Sequence, residues 1–270
     1  MGHVDAVRIE GWRMGTMVAG VLLAALALPQ PAAAQGVIEV PLNEHEGRLW
    51  VPVQGADGSE FRFILGTGSP GTLYSASGAA RQARTGDLFM GGRADAPVNM
   101  DGTQTLPDSL FFYRGEQFDG QLAPNTLNAY DMLLDGPGGK LLLQPIGRPP
   151  TWDGYELSEP VRLRVYHGTV LTLPVDFGGT TVQAMLELSA PQVIGNPAVG
   201  ASGLIAEDGA MAMSIGETGW PDLQGLVEDS PILRRFSAPE DPFALVGGVI
   251  AVDCPIAISY VRAELRTCVR

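Results

Sequence analysis

The stretch that decides the fold is FRFILGTGSPGTLYS, which runs from Phe61 to Ser75. Its apolar residues Phe61, Phe63 and Leu65 fall on alternate positions, the period-two pattern of a strand with one buried face. The glycine-rich residues 66–71 follow, and glycines in such a run favour a tight turn. An apolar pair at 73–74 then resumes the pattern. The stretch therefore predicts a strand, a sharp turn and a second strand.

Outside this stretch the chain consists mainly of short strand-like runs separated by turn residues. Such runs cover residues 37–42, 49–53, 61–65, 132–135, 140–143, 161–166, 170–175 and 181–186. Weak helical stretches occur only at 76–83 and 127–130. The 35 glycines and 21 prolines among 270 residues also favour turns over long helices. The predicted fold class is all-β.

The order of these runs occurs twice. A shift of 121 positions places Phe61 on Val182, Phe63 on Ala184, Leu65 on Leu186, Pro70 on Pro191 and Leu73 on Ile194. Each half also ends in a predicted hairpin. Two similar β halves are therefore expected, over residues 35–146 and 161–270, joined by a proline- and glycine-rich linker at 147–160.

The segment from Phe61 to Ser75 resembles the active-site strand of aspartic proteases of the pepsin and retropepsin type. In that family an apolar strand leads into Asp-Thr-Gly, then Ser or Ala, and a short turn. Thr67 and Gly68 match the motif, but Gly66 stands at the aspartate position. Residues 122–125 (LAPN) and 244–248 (ALVGG) resemble the family's apolar-apolar-glycine segment, with Ala123 in place of the glycine in the first half.

The second half departs further from the family pattern. Glu187 stands at its aspartate position, Leu188 at its threonine and Ser189 at its glycine. The resemblance implies a two-lobed fold around a central cleft, and it is strongest to the bacterial exported members of the family. It also implies that paired threonines tie the two loops together, which Thr67 could do and Leu188 could not.

The chemistry of the family needs two carboxyl groups that face each other and share one proton. One accepts a proton from water while the other donates one to the substrate carbonyl. Gly66 has no side chain, and Glu187 alone cannot fill both roles. The resemblance therefore predicts an inactive protease-like protein that binds an extended peptide or a protein partner in the cleft.

Other interpretations stay open at this point. A working hydrolase could use a rebuilt site of Glu187 with a loop carboxylate such as Asp87 or Asp101. The chain could instead be a purely structural envelope protein. The motif residues could also be ordinary, with Gly66 to Gly68 as a tight turn and Glu187 as a solvent-facing strand end.

Charge and composition argue against several partners and cofactors. A net charge of −13 repels phosphate backbones, so nucleic acid is not an expected partner. Residues 66–71 also satisfy G-x-G-x-x-G with Asp87 further on, but the next segment is a poor helix and a dinucleotide is not expected. His45 and His167 lack the spacing of zinc ligands. We expect no cofactor and no catalytic metal, while weak calcium binding by acidic loops stays open.

The N-terminus has the features of a secretory signal. Arg8 and Arg13 precede the apolar run of residues 14–28, and small residues at 32–34 resemble a cleavage site. We expect a signal peptide at 1–34 and a periplasmic or secreted protein with no membrane segment after its removal. An uncleaved anchor is the alternative.

The two cysteines, Cys254 and Cys268, lie near the C-terminus. In an exported protein an even pair favours a disulfide. A hairpin that turns around Val261 would place them directly opposite each other. Two buried thiols are the alternative.

Overall fold

A computed structural model describes residues 36–69, 71–147 and 149–269. The expected signal peptide at 1–34 lies outside these residues. In the first half the strands are β1 (Ile38–Pro41), β2 (Asn43–His45), β3 (Arg48–Gly55), β4 (Glu60–Leu65), β5 (Leu73–Ser75), β6 (Leu88–Met90), β7 (Gln104–Leu106), β8 (Phe112–Tyr113), β9 (Glu116–Gln117), β10 (Gly120–Leu122), β11 (Tyr130–Asp135) and β12 (Lys140–Pro145). Strands dominate this half, as the sequence predicts.

The second half is built in the same way. Its strands are β13 (Val161–Arg162), β14 (Arg164–Tyr166), β15 (Val170–Phe177), β16 (Thr180–Glu187), β17 (Val193–Gly195), β18 (Ala210–Ile215), β19 (Thr218–Val227), β20 (Phe243–Gly247), β21 (Ile256–Ser259) and β22 (Glu264–Thr267). The helices of the two halves are short: α1 (Ala76–Thr85), α2 (Pro124–Leu127), α3 (Pro197–Ala201), and 3₁₀ turns at Asp108–Phe111, Leu233–Arg235 and Gly248–Ala251. The predicted all-β class is confirmed.

Each half contains one seven-stranded sheet, and the first half also has the small β8–β9 pair. The first large sheet runs β2-β3-β4-β10-β5-β7 with β6 beside β3, and the second runs β14-β15-β16-β20-β17-β19-β18, so six strands correspond in order. In both, the middle strand (β10 or β20) is parallel to one neighbour and antiparallel to the other. Phe63 and Tyr74 both lie opposite Gly120, while Ala184 and Gly195 both lie opposite Ala244. The offset of 121 residues thus recurs for the two strands beside the middle strand, while the middle strand itself is offset by 124 residues (244 − 120).

A third, central sheet of six strands joins the halves in the order β1-β12-β11-β21-β22-β13. Three of its strands come from each half, and β11 pairs with β21 at its centre, with Met132 opposite Ile258. β11 and β21 are buried along their whole length. Both halves also contribute residues to one main hydrophobic core. The strand order of the central sheet is therefore symmetric about the β11–β21 pair.

The strands follow the pattern of buried and exposed residues. Two of the predicted elements differ in the structure. The helix predicted at 127–130 is wrong: α2 begins at Pro124, a residue favoured at a helix start, and Tyr130 already begins the buried strand β11. The single strand predicted at 161–166 is two strands, because Leu163 turns the chain from the central sheet to the second sheet. The helix predicted at 76–83 is present as α1, and the Ser75 side chain caps its first turn.

The C-terminal hairpin and its disulfide are present. β21 pairs with β22, and Cys254 is bonded to Cys268 across a Cα–Cα distance of 5.5 Å. Ile256 lies opposite Thr267, so the cysteines are offset by one residue from the directly opposed arrangement predicted. The predicted linker also contacts the second half, since the Ser158 N–H donates to the Thr267 carbonyl at 2.7 Å. Among the described residues no helix is long and apolar enough to cross a membrane.

Candidate functional site

Two loops, one from each half, meet where β4 and β16 end. The Thr67 hydroxyl donates to the Leu186 carbonyl oxygen at 2.6 Å and accepts from the Leu188 N–H at 3.2 Å. Thr67 itself has no exposed surface. Because β4 and β16 hold equivalent places in the two sheets, the loops that follow them are equivalent as well. Thr67 therefore ties the halves together as the sequence motif predicts.

The return hydrogen bond is made by Glu187 rather than by a threonine. Leu188 is fully buried and has no hydroxyl to offer. The Glu187 carboxylate oxygen Oε1 instead accepts from the Thr67 N–H at 3.1 Å and from the Ser189 N–H at 3.0 Å. The carboxyl group thus connects the two loops in the direction opposite to the Thr67 bonds. In the structure, Glu187 therefore holds the two loops together.

Glu187 is 7% exposed, so the interpretation of this residue as a solvent-facing strand end is wrong. Burial raises the pKa of Glu187, and hydrogen bonds from Ser189 and from the Thr67–Gly68 backbone act in the opposite direction. The pKa of the buried Tyr260 is raised as well. Burial is the main cause, and the nearby Glu187 adds to the increase. The carboxyl group is therefore a weaker acid than an ordinary glutamic acid.

At Gly66 the space for a side chain is already occupied. A Cβ atom built there would clash with the side-chain amide of Gln121. The Gln121 side chain reaches this position from β10 and donates from Nε2 to the Ser69 hydroxyl at 3.2 Å. A Cβ at Gly68 would likewise clash with the Glu187 carboxylate. The two glycines thus let one amide and one carboxyl group approach the backbone.

Asp87, one of the loop carboxylates considered for a rebuilt site, lies far from Glu187. The Ala56 N–H donates to the Asp87 carbonyl at 2.9 Å, which fixes Asp87 beside the turn before β4. β4 spans six residues between that turn and Gly66, or about 20 Å at roughly 3.3 Å per residue. Asp87 therefore lies at the wrong end of the strand to act with Glu187.

Asp101 lies in the turn that precedes β7. Its N–H donates to the Asn99 side chain at 2.8 Å, and its carbonyl accepts from the Asn125 side chain at 2.9 Å. Neither Asp101 nor Asp87 is among the groups that shift the pKa of Glu187. Within the described part of the chain no group of three or more His, Cys, Asp or Glu side chains is placed to hold a metal ion.

The sequence motif located the two loops but missed two residues that shape the site. Gln121 carried no signal, because an amide on a strand is read as ordinary polarity. Tyr260 lies in the turn of the C-terminal hairpin, which no local pattern connects with residue 187. Compared with known families and curated proteins, the chain matches no family model and no curated protein.

Proposed function

We propose that this chain is an exported, catalytically inactive relative of the two-lobed aspartic proteases, and that it binds an extended peptide or a protein segment in a cleft between its halves. The observation that carries the proposal is the pair of loops tied by Thr67 with a single carboxyl group between them. The family motif requires two such loops, but in the family each loop also carries an aspartate.

The chemistry where the two loops meet supports the proposed lack of catalytic activity. Acid–base hydrolysis of a peptide bond needs one group to accept a proton and another to donate one. Glu187 is buried and occupied by backbone donors, and an amide from Gln121 stands where the second acid would be. The Cys254–Cys268 disulfide supports a location outside the reducing cytosol.

The first experiment measures cleavage and binding with the same peptide library. The purified protein is incubated with the library at acidic pH, and the products are analysed by mass spectrometry. We expect no cleavage, together with retention of a subset of peptides by the immobilised protein. Pepstatin-sensitive cleavage would overturn the inactive assignment, and failure to retain any peptide would overturn the binding assignment.

A second experiment rebuilds the missing chemistry. The combined variant is Gly66→Asp, Gln121→Ala, Glu187→Asp, Leu188→Thr and Ser189→Gly. Gln121→Ala is included because its amide fills the space of a residue-66 side chain. A matched control carries Asn instead of Asp at position 66. We expect the Asp variant to cleave peptides at least about 100-fold faster than the control, since one acid–base group contributes about that much. Equal rates would mean that the loops do not form the frame of a dyad.

A further inference from the structure

Arg48 is a half-buried cation whose side chain has no hydrogen-bond or ion-pair partner among the described residues. Its guanidinium carbon lies 4.0 Å from the centre of the Tyr113 ring. Its Nε atom is buried without an acceptor. Burial lowers the pKa of Arg48 more than the nearby Tyr113 raises it, but a guanidinium stays charged in proteins. A buried donor without an acceptor is unusual and calls for an explanation.

His45 forms the other side of the same cluster. Its ring packs edge-on against Tyr113 with 6.3 Å between centroids, and its Nε2 atom is also buried without a partner. His45 and Arg48 lie opposite each other at the ends of β2 and β3. The two residues that pack against the Tyr113 ring thus each carry a buried nitrogen atom without a hydrogen-bond partner.

The carboxylates near Arg48 are directed elsewhere. Glu44 accepts the Gly47 N–H, and Glu116 on β9 is paired with Arg62. Glu46, in the turn between His45 and Arg48, is exposed and lies outside ion-pair distance of the guanidinium. Tyr113 donates to the Glu46 backbone carbonyl at 3.5 Å rather than to a carboxylate. Among residues 36–69, 71–147 and 149–269, no carboxylate thus pairs with Arg48, in a chain of net charge −13.

The Arg48 turn lies beside the junction of the two loops. A Cβ at Gly47 would clash with the Pro191 carbonyl, and one at Gly248 would come within 3.2 Å of the Gly47 carbonyl. Gly248 donates to the Ala190 carbonyl at 2.8 Å, and Ala190 donates to the Glu187 carbonyl at 3.0 Å. The turn that carries Arg48 therefore packs against the segment that follows Glu187.

The corresponding position in the second half is apolar. Trp50 pairs with Ile64 and Thr172 pairs with Met185, which makes Val170 the counterpart of Arg48. Val170 is buried in a hydrophobic cluster with Met185 and Phe243. The two sides of the junction thus differ in charge, so a ligand with one acidic end would bind in a single orientation.

We propose that Arg48, supported by Tyr113 and His45, binds the carboxylate of an Asp or Glu side chain in an extended peptide ligand. The inference rests on the proposed peptide-binding function and adds a charge preference to it. A guanidinium binds a carboxylate through two parallel hydrogen bonds, and partial burial strengthens such a pair. Because Nε is buried, the ligand carboxylate would accept from the two Nη groups of Arg48, which are not among the buried nitrogen atoms.

The test uses two fluorescently labelled peptides, Ala-Thr-Val-Glu-Val-Thr-Ala and the same sequence with Gln in place of Glu. Affinities are measured by fluorescence anisotropy for the wild-type protein, Arg48→Lys, Arg48→Met and the control Arg164→Met, which removes an exposed arginine from β14. We expect the wild type to bind the Glu peptide about 10-fold more tightly. Arg48→Met should lose this preference, Arg48→Lys should keep part of it, and the control should keep all of it.

A second readout separates the inference from the proposed function. The Nε–H resonance of Arg48 is followed by NMR during titration with N-acetylglutamate N-methylamide and with its glutamine analogue. A shift with the glutamate probe alone supports the inference even if neither peptide binds, in which case only the peptide-binding function fails. Equal affinity for both peptides overturns the inference and leaves that function standing. Equal losses in Arg48→Met and Arg164→Met also overturn it.

Discussion

Glu187 is a buried carboxyl group held by backbone donors of both loops. Its pKa is raised above the ordinary value near 4.5, with burial as the largest cause. The folded protein therefore binds this proton more tightly than the unfolded chain does. The stabilisation is complete below the unfolded-state pKa, and it is lost as the pH rises through the higher folded-state pKa.

The variant Glu187→Gln isolates this effect, because an amide does not titrate. We expect the free energy of unfolding of the wild type to fall relative to that of the variant as the pH rises above about 4.5. Urea denaturation over a series of pH values measures the difference. Glu240→Gln, a change at an exposed position, serves as the control and should follow the wild type. If the free energy of unfolding varied with pH in the same way for the wild type and Glu187→Gln, the raised pKa of Glu187 would be contradicted.

Thr67→Val removes the hydroxyl that ties the halves. The change leaves the Leu186 carbonyl and the Leu188 N–H buried without that partner. Each unsatisfied group costs about 1–3 kcal/mol, so for the two groups we expect a loss of about 2–6 kcal/mol in the free energy of unfolding. Thr67→Ser should recover most of it. Thr181→Val, at an exposed position of β16, should change stability little. A similar loss in Thr67→Val and Thr181→Val would show that the tie is not stabilising.

The sequence predicted the position of most site residues and a tie through Thr67, but not the interactions of Glu187 and Gln121. The motif placed Thr67 and Glu187 in equivalent loops because strand periodicity and turn glycines are local signals. It could not show that Glu187 would accept the Thr67 N–H, because this bond depends on how the two halves pack. The role of Gln121 was hidden for the same reason.

Among the elements, strands were predicted better than short helices. Runs such as 61–65 and 181–186 carry a clear alternation, and both are strands in the structure. The α2 helix spans only four residues, too few for a helical period to show in the sequence. The pairing of β11 with β21 joins residues more than 120 positions apart, and no local pattern encodes such a contact.

The C-terminal hairpin supplies an element-scale prediction. The Cys254–Cys268 bond joins residues 14 positions apart and closes a loop that contains β21 and β22. For a loop of this length the chain-entropy model gives about 3 kcal/mol of stabilisation. We expect the double variant Cys254→Ser/Cys268→Ser to lose about 2–4 kcal/mol in the free energy of unfolding, measured in urea. The wild type should lose a similar amount under a reducing agent, and the variant should not respond to it. No change in either case would contradict the prediction.

For the whole molecule, the central sheet couples the stability of the halves. β11 and β21 are neighbours in one ladder and both are buried, so opening one exposes the other. Hydrogen exchange followed by mass spectrometry should give the same opening free energy for residues 130–135 and 256–259. Thr67→Val should lower the protection of both segments equally. Loss of protection in one segment alone would mean that the halves unfold separately.

The hydrogen bonds of Thr67 are asymmetric between the halves, because one hydroxyl of the first half makes both bonds to the second half. Position 188 contributes only its backbone N–H to these bonds, whereas position 67 contributes the side-chain hydroxyl. A change that removes the hydroxyl at position 67 is therefore expected to lower the free energy of unfolding more than a change from leucine to another apolar residue at position 188.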